Sequence, residues 1–190
     1  MHPYEVAQTL RQRAKHESVR LNYGSLYAVV EGLERRHLIR ASKTVREGNR
    51  PERTIYEITD AGSREMIDWL TDIIGVPAKE YPQFLAGLSF ISALTPEEAL
   101  AAFRMRAFTL EIQLAQIRAT LRTAGEAGLP RLFRVETEFE EQLIETELHF
   151  VRGLITDMVG GNLEGLDMWH AFHAEGGRAA EGVVFELGPP

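Results

Sequence analysis

One segment constrains the fold more than any other: a predicted helix that opens at Gly24-Ser25-Leu26-Tyr27 is followed directly by a predicted β-hairpin. Apolar residues recur along this helix at helical spacing and predict a buried face of Leu26, Val29, Val30, Leu33 and His37. The opposite face carries small, hydrogen-bonding or cationic groups, namely Ser25, Tyr27, Ala28, Glu31 and Arg35. Such side chains can enter a major groove without steric conflict, although many amphipathic surface helices that bind no nucleic acid share this pattern.

The hairpin is predicted from two segments, 38–45 and 53–59, that are rich in β-branched and aromatic residues and flank a Gly-Asn and a Pro. Its cations lie at or beside the turn, and they are Lys43, Arg46, Arg50 and Arg53. Arginine matches phosphate oxygens, and counterion release favours the contact. An isolated hairpin tip of this kind is more often simply solvated. Its place directly after the helix favours phosphate binding.

The charge distribution supports this interpretation. The chain of 190 residues has a net charge of −7, yet residues 1–64 hold 12 Lys and Arg against 8 Asp and Glu. Residues 65–190 hold 9 against 20. A basic N-terminal third on an acidic body is expected of a protein that presents one end to a polyanion.

Composition excludes several classes of protein. No apolar run approaches the roughly 18 to 20 residues of a membrane span, and no signal peptide is expected before the first motif. The absence of cysteine excludes disulfides and thiolate metal sites and suits a reducing compartment, so we expect a cytoplasmic protein.

The chain is expected to have an N-terminal domain over 1–76, a helical domain over 83–159 and a flexible or loosely docked tail over 160–190. The first domain begins with a helix from about Pro3 to Lys15 and ends with a connecting helix that Asp60 can cap and that ends at Gly75. A short apolar helix over 84–94 and two long helices, from Thr95 to about Thr123 and over 131–158, are predicted for the second.

The last of these helices carries two adjacent apolar stripes, which one antiparallel partner helix cannot bury. A second copy of the chain is the simplest cover, with a fully intramolecular bundle as the alternative. The residues expected at the dimer interface are Leu143, Phe150 and Leu154.

Four motifs together resemble the successive signatures of PadR-like transcriptional regulators: Met1-His2-Pro3-Tyr4-Glu5, Gly24-Ser25-Leu26-Tyr27, the segment 33–39, and the segment 56–62 that ends in Thr-Asp-Ala-Gly. Residues 82–90 and the two long helices resemble the C-terminal dimerisation region of the longer subfamily, so the resemblance spans roughly 1–158.

This resemblance implies a mainly α fold with a small β-hairpin wing: a winged helix-turn-helix head followed by a C-terminal antiparallel helical dimerisation domain. It further implies a homodimer that binds a palindromic operator in double-stranded DNA, usually as a repressor released by a small, often aromatic, ligand. Residues expected near base edges are Asn22, Ser25, Tyr27 and Ala28, and those expected on phosphates are Arg20, Lys43, Arg46, Arg50 and Arg53.

The chain departs from the family pattern at its start. The family has a further helix before the His-x-Tyr-Glu motif, and it commonly has Gly where this chain has Pro3. Without that helix, Val6 and Leu10 are expected to be exposed unless another segment covers them. The rival hypothesis is therefore a protein interaction module that has lost DNA binding together with its first helix.

No catalytic constellation, cofactor or metal site is predicted. His170 and His173 form a His-x-x-His pair with no third fixed ligand, and the acidic run on the last long helix lacks the Glu-x-x-His pairs of a di-iron site. A small hydrophobic ligand is expected between the connecting helix and the C-terminal helices, where Trp69, Phe84 and Phe90 are the candidate contacts. The alternative for these aromatics is a core or interface role.

Overall fold

The computed structural model describes residues 1–12, 23–45 and 53–175. Within them the chain is mainly helical with one two-stranded antiparallel sheet, which confirms the predicted fold class. The chain divides into two compact units between Glu80 and Tyr81, and each unit is described by itself below.

The first unit consists of α1 (Pro3–Gln12), α2 (Tyr23–Arg35), β1 (Ile39–Val45), β2 (Arg53–Ile58) and α3 (Asp60–Gly75). The strands pair antiparallel, from Ile39 opposite Ile58 to Val45 opposite Arg53, with a bulge between Ala41 and Lys43. Among the described residues of this unit, only Pro3, Ala7 and Gly62 are buried, while Val6 and Leu10 are half-buried. The described head therefore depends on specific backbone contacts more than on a large core.

The most important of these contacts form where α2, the hairpin and α3 meet. The Thr59 hydroxyl lies 2.8 Å from the His37 carbonyl oxygen and 3.1 Å from that of Leu38, and it accepts a hydrogen bond from the Gly62 amide at 3.0 Å. Thr59 is thus the N-cap of α3, so the sequence-based assignment of the cap to Asp60 was wrong by one residue. A Cβ at Gly62 would lie 2.0 Å from the Leu38 carbonyl oxygen, so only glycine permits this approach.

The second unit consists of α4 (Gln83–Ser89), a 3₁₀ turn (Ile91–Ala93), α5 (Pro96–Glu126), a second 3₁₀ turn (Arg131–Phe133), α6 (Val135–Val159) and α7 (Leu166–Ala174). The predicted start of α5 is confirmed in detail. The Thr95 hydroxyl accepts from the Glu98 amide, the Glu98 carboxylate accepts from the Thr95 amide, and Pro96 occupies the first turn. The apolar helix predicted over 84–94 is shorter than expected, because it ends at Ser89 and a 3₁₀ turn follows.

Helices α5 and α6 are antiparallel and pack through one face of each. Ion pairs join the two helices: Arg106 pairs with Glu147, Glu111 pairs with Arg152, and Arg118, farther along α5, pairs with Glu141 and Glu145, which lie nearer the start of α6. Between these ion pairs lies the core of the unit, formed chiefly by Ala99, Phe103, Ala107, Leu110, Leu114, Leu148, Val151 and Met158.

Each long helix also has an apolar face that the described chain leaves uncovered. On α5 this face carries Met105, Phe108 and Ile112, and on α6 it carries Val135, Phe139, Leu143 and Phe150. Leu143 is 55% exposed and Phe150 is 49% exposed, whereas Leu154 is half-buried against the core of its own unit. Two adjacent apolar stripes were predicted on α6. The stripe that includes Leu148 and Val151 packs against α5.

The region predicted as a flexible or loosely docked tail contains α7. Leu166 at the start of α7 is buried in the core of the second unit. The Trp169 indole N–H donates to the Leu94 carbonyl oxygen at 2.8 Å, and the His173 ring lies 2.9 Å from the Ser92 carbonyl oxygen. Residues 176–190 of the predicted tail lie outside the described part of the chain.

We expect Gly62→Ala to destabilise the first unit by about 1 to 3 kcal/mol, because its methyl group would overlap the Leu38 carbonyl. Chemical denaturation followed by circular dichroism measures this. Gly32→Ala is the matched control, since a Cβ at this helical glycine meets no heavy atom within 4 Å. The control should be neutral or slightly stabilising. Equal stability of the two variants would contradict the proposed close contact.

Candidate nucleic-acid interface

Helix α2 has an inner and an outer face, as the sequence predicted, but the division differs at two residues. Leu26, Val30 and Leu33 are half-buried on the inner face. Val29, which was assigned to that face, is 53% exposed. His37 lies beyond the last turn of α2 in the left-handed region, with φ of 58°, and its side chain is exposed. Val29 was wrongly assigned because it lies at the edge of the inner face. His37 was wrongly assigned because the helical repeat was extended past the end of α2.

The outer face of α2 is solvent-exposed along its length. Ser25, Tyr27 and Ala28, which were predicted to contact base edges or groove walls, are all exposed, and Tyr27 is 55% exposed. Glu31 and Arg35 continue the same surface toward the end of the helix. Asn22 and Arg20, predicted from the turn before the helix, lie outside the described residues. This surface combines small, aromatic and charged side chains that can reach a groove.

A half-buried polar contact joins α2 to the hairpin. The Tyr56 phenol on β2 forms a hydrogen bond with the Glu34 side chain. Partial burial, followed by the charge and the hydrogen bond of Glu34 and the charge of Glu31, raises the pKa of Tyr56 above its usual value. Sequence reasoning identified Tyr56 as part of a motif but missed its partner, because the two residues belong to elements whose contact is not evident from spacing.

The hairpin extends the interface. Lys43 on β1 is exposed, whereas Arg46 and Arg50 lie outside the described residues, as does the side chain of Arg53 at the start of β2. Sequence reasoning missed Arg40, which is exposed on β1 and pairs with Glu57 at 3.7 Å. The Ser42 hydroxyl at the bulge donates to the same carboxylate at 2.5 Å. The base of the hairpin is thereby held by side chains from both strands.

The second unit contains an open apolar cavity of about 220 Å³. Two of the three predicted ligand contacts, Phe84 and Phe90, line it together with residues of α4, α5 and the 3₁₀ turn between them. The one cation in the lining is Arg106, whose guanidinium lies 3.8 Å from the centre of the Phe84 ring. Trp69, the third predicted contact, lies on α3 of the first unit and is 61% exposed.

The described residues contain no cluster of His, Asp or Glu that could hold a metal ion. His170 lies 3.5 Å from a Glu97 oxygen, and His173 contacts the Ser92 carbonyl, so the two imidazoles have different partners. Across 1–12, 23–45 and 53–175, no helix is both long enough and apolar enough to cross a membrane.

The helix, hairpin and capped third helix of the first unit match a known family model. Residues 1–68 match the transcriptional regulator PadR-like family. The N-terminal head is therefore similar to that of the PadR-like transcriptional regulators, while the family model does not extend over residues 69–190. That family consists of regulators and not of enzymes.

One curated relative is the negative transcriptional regulator PadR of Bacillus subtilis strain 168, which is 25% identical over 105 residues. The match covers 55% of this chain and 57% of that relative's length. The sequence match therefore spans only about half the length of each protein.

Solved structures show that the fold extends further than the sequence match. The structure of B. subtilis PadR in complex with operator DNA has a TM-score of 0.70 at 15% identity, covering 83% of this chain and 91% of that one. The structure of B. subtilis PadR with p-coumaric acid has a TM-score of 0.54 at 16% identity, covering 80% and 90%. At these identities the likeness establishes the fold.

We expect Glu34→Gln to lower the pKa of Tyr56 part of the way toward its usual value, because the charge of Glu34 disappears while partial burial of the phenol remains. Titration of tyrosine absorbance between neutral and strongly alkaline pH measures this, and Tyr56→Phe identifies the transition. Glu57→Gln on the same strand is the control and should leave the transition in place.

The sign of the effect on stability also follows. Because folding raises the pKa of Tyr56, its contribution to stability is complete below the unfolded value of about 10 and is lost as pH rises through the folded value. Alkaline unfolding should therefore begin at higher pH in Tyr56→Phe if the phenol limits stability. An unchanged alkaline transition in both variants would contradict this role.

Proposed function

We propose that this chain is a homodimeric, sequence-specific DNA-binding regulator that acts in the cytoplasm, in which α2 enters the major groove and the hairpin contacts flanking phosphates. The observation that carries the proposal is the exposed outer face of α2 beside a cationic hairpin, in a head that matches the model of a family of transcriptional regulators. A relative with the same fold was solved in complex with operator DNA. The excess of cations over acids in residues 1–64 supports the same orientation.

Within this proposal, contacts divide into two groups. Ser25, Tyr27 and Ala28 meet base edges or groove walls, together with Asn22 from the preceding turn. The phosphate contacts come from Arg20, Lys43, Arg46, Arg50 and Arg53. Phosphate contacts contribute affinity for every duplex, whereas base contacts distinguish one operator from another.

The first test measures the salt dependence of binding for Lys43→Ala combined with Arg53→Ala. We expect weaker binding to all duplexes and a salt slope reduced by roughly 0.9 for each lost phosphate contact. The matched control is Arg104→Ala combined with Arg122→Ala, which removes two exposed cations from α5 in the second unit. An unchanged slope in the hairpin variant would remove the hairpin from the interface.

Dimerisation is proposed through the uncovered apolar faces of α5 and α6. Side chains such as Phe108 and Leu143 are more than half exposed, and contiguous apolar surface of this kind is typical of an interface. A symmetric dimer would bring two heads to the two halves of a palindromic operator.

Leu143→Glu should give a folded monomer. The carboxylate is solvated in a single chain, but burying it in a dimer costs a few kcal/mol. Analytical ultracentrifugation and circular dichroism measure the two properties. Gln142→Glu introduces the same charge at the neighbouring exposed position and should remain dimeric. A monomeric unmodified protein at micromolar concentration would exclude this interface.

We further propose that the regulator is a repressor and that a small aromatic acid releases it by binding in the cavity of the second unit. B. subtilis PadR was solved with p-coumaric acid, which has one ring and one carboxyl group. The cavity of about 220 Å³ suits a single ring better than a polycyclic compound, because drug-sized ligands occupy roughly 300 to 1,000 Å³. Phe84 and Phe90 supply apolar contacts, and Arg106 supplies the cation for a carboxylate.

Calorimetry with p-coumaric acid tests this site, and operator binding with and without the compound tests release. A coupling of typical size weakens operator binding about 5- to 150-fold. Gly87→Leu should prevent binding by filling the cavity, since Gly87 lines it and a Cβ there meets nothing within 4 Å. Gly153→Leu on α6 has equal space but does not line the cavity, so it serves as the control. Equal affinity for the two variants would exclude this cavity.

A further inference from the structure

The outer face of α2 contains an acidic side chain that the proposed contacts do not use. Ala28, Glu31 and Arg35 are spaced by three and four residues, so they lie along one line on the helix, and all three are exposed. Glu31 therefore occupies the middle of the surface that enters the groove.

The other glutamates of α2 and its neighbouring strand have structural partners. Glu34 forms a hydrogen bond with Tyr56, and Glu57 is held by Ser42 and Arg40. Glu31 is exposed, and its charge raises the pKa of the Tyr56 phenol, so it lies near Tyr56 without stabilising the charged form of that side chain.

A carboxylate in the major groove is repelled by the phosphates on both sides, so it is compatible with tight binding only if it meets a hydrogen-bond donor. The donors on major-groove base edges are the amino groups of cytosine and adenine. Adenine presents its N7 acceptor beside the amino group, and this lone pair repels a carboxylate. Cytosine presents its N4 amino group between the O6 of the paired guanine and its own C5–H, so a carboxylate can approach from the C5 side, and acidic side chains accept from this amino group.

We propose that Glu31 selects cytosine at one position in each half of the operator. This inference rests on the proposed DNA-binding function, and it adds a base preference to it. The small Ala28 side chain one turn earlier leaves space for α2 to approach the base edges closely. Glu31 thereby excludes sequences that place an acceptor at this position, in addition to favouring those that place a donor there.

Binding-site selection from random duplex DNA with the full chain tests this proposal, using the unmodified protein, Glu31→Ala, Glu31→Gln and Asp68→Asn. Asp68→Asn is the matched control because it removes one exposed negative charge from the same unit but lies on α3. The unmodified protein and the control should prefer cytosine at one symmetric pair of positions by roughly 5- to 150-fold.

In Glu31→Ala this preference should disappear while preferences at other positions remain. Glu31→Gln should instead move the preference toward adenine, because a carboxamide can both donate to N7 and accept from N6. Unchanged base preferences in Glu31→Ala, with equally tighter binding to every duplex, would overturn the inference and leave Glu31 as a repulsive surface charge. If the unmodified protein selects no sequence at all, sequence-specific DNA binding is excluded, and the proposed role of Glu31 is excluded with it.

Discussion

The Thr59 hydroxyl is the contact on which the geometry of the head depends. It reaches the carbonyls that follow α2 and accepts from the Gly62 amide at the start of α3, so one side chain joins the helix, the hairpin and α3. The Thr59 amide also donates to the Leu38 carbonyl oxygen at 3.0 Å. Because few described side chains of this unit are buried, these bonds define the angle between α2 and the hairpin more directly than hydrophobic packing does.

In the second unit, the relative position of the helices is determined differently. The core of this unit lies chiefly between α5 and α6, with Leu166 of α7 added, and the ion pairs at its edges contribute little free energy because most of their side chains are substantially exposed. Their value is positional: Arg118 meets two carboxylates one turn apart, and Arg152 meets Glu111, so a sliding of the helices by one turn would separate opposite charges. Register is therefore specified by charge while cohesion comes from the apolar seam.

Local signals were readable from the sequence, and long-range contacts were not. The Thr-Pro-Glu-Glu start of α5 was predicted completely because both capping bonds span three residues. The cap of α3 was misplaced by one residue because Thr59 and Asp60 both carry suitable oxygens, and the choice depends on the backbone of Thr59.

Helix α7 was missed because its docking bond joins Trp169 to a carbonyl 75 residues away. Arg106, which lines the cavity, was not singled out for a similar reason, whereas Phe84 and Phe90, which also line it, were singled out because aromatic residues cluster in the sequence. The ligand contacts stay predictions. The DNA contacts stay predictions.

The separation of α2 into two faces has a consequence for how such regulators diversify. The inner side chains and Tyr56 hold the helix in place, while the outer side chains project into solvent and add little to folding. Mutations on the outer face can therefore accumulate without a loss of folded protein, and if this face contacts DNA as proposed, a duplicated gene could acquire a new operator in small steps. The same independence makes this face a convenient site for transplanting the specificity of one regulator onto the scaffold of another.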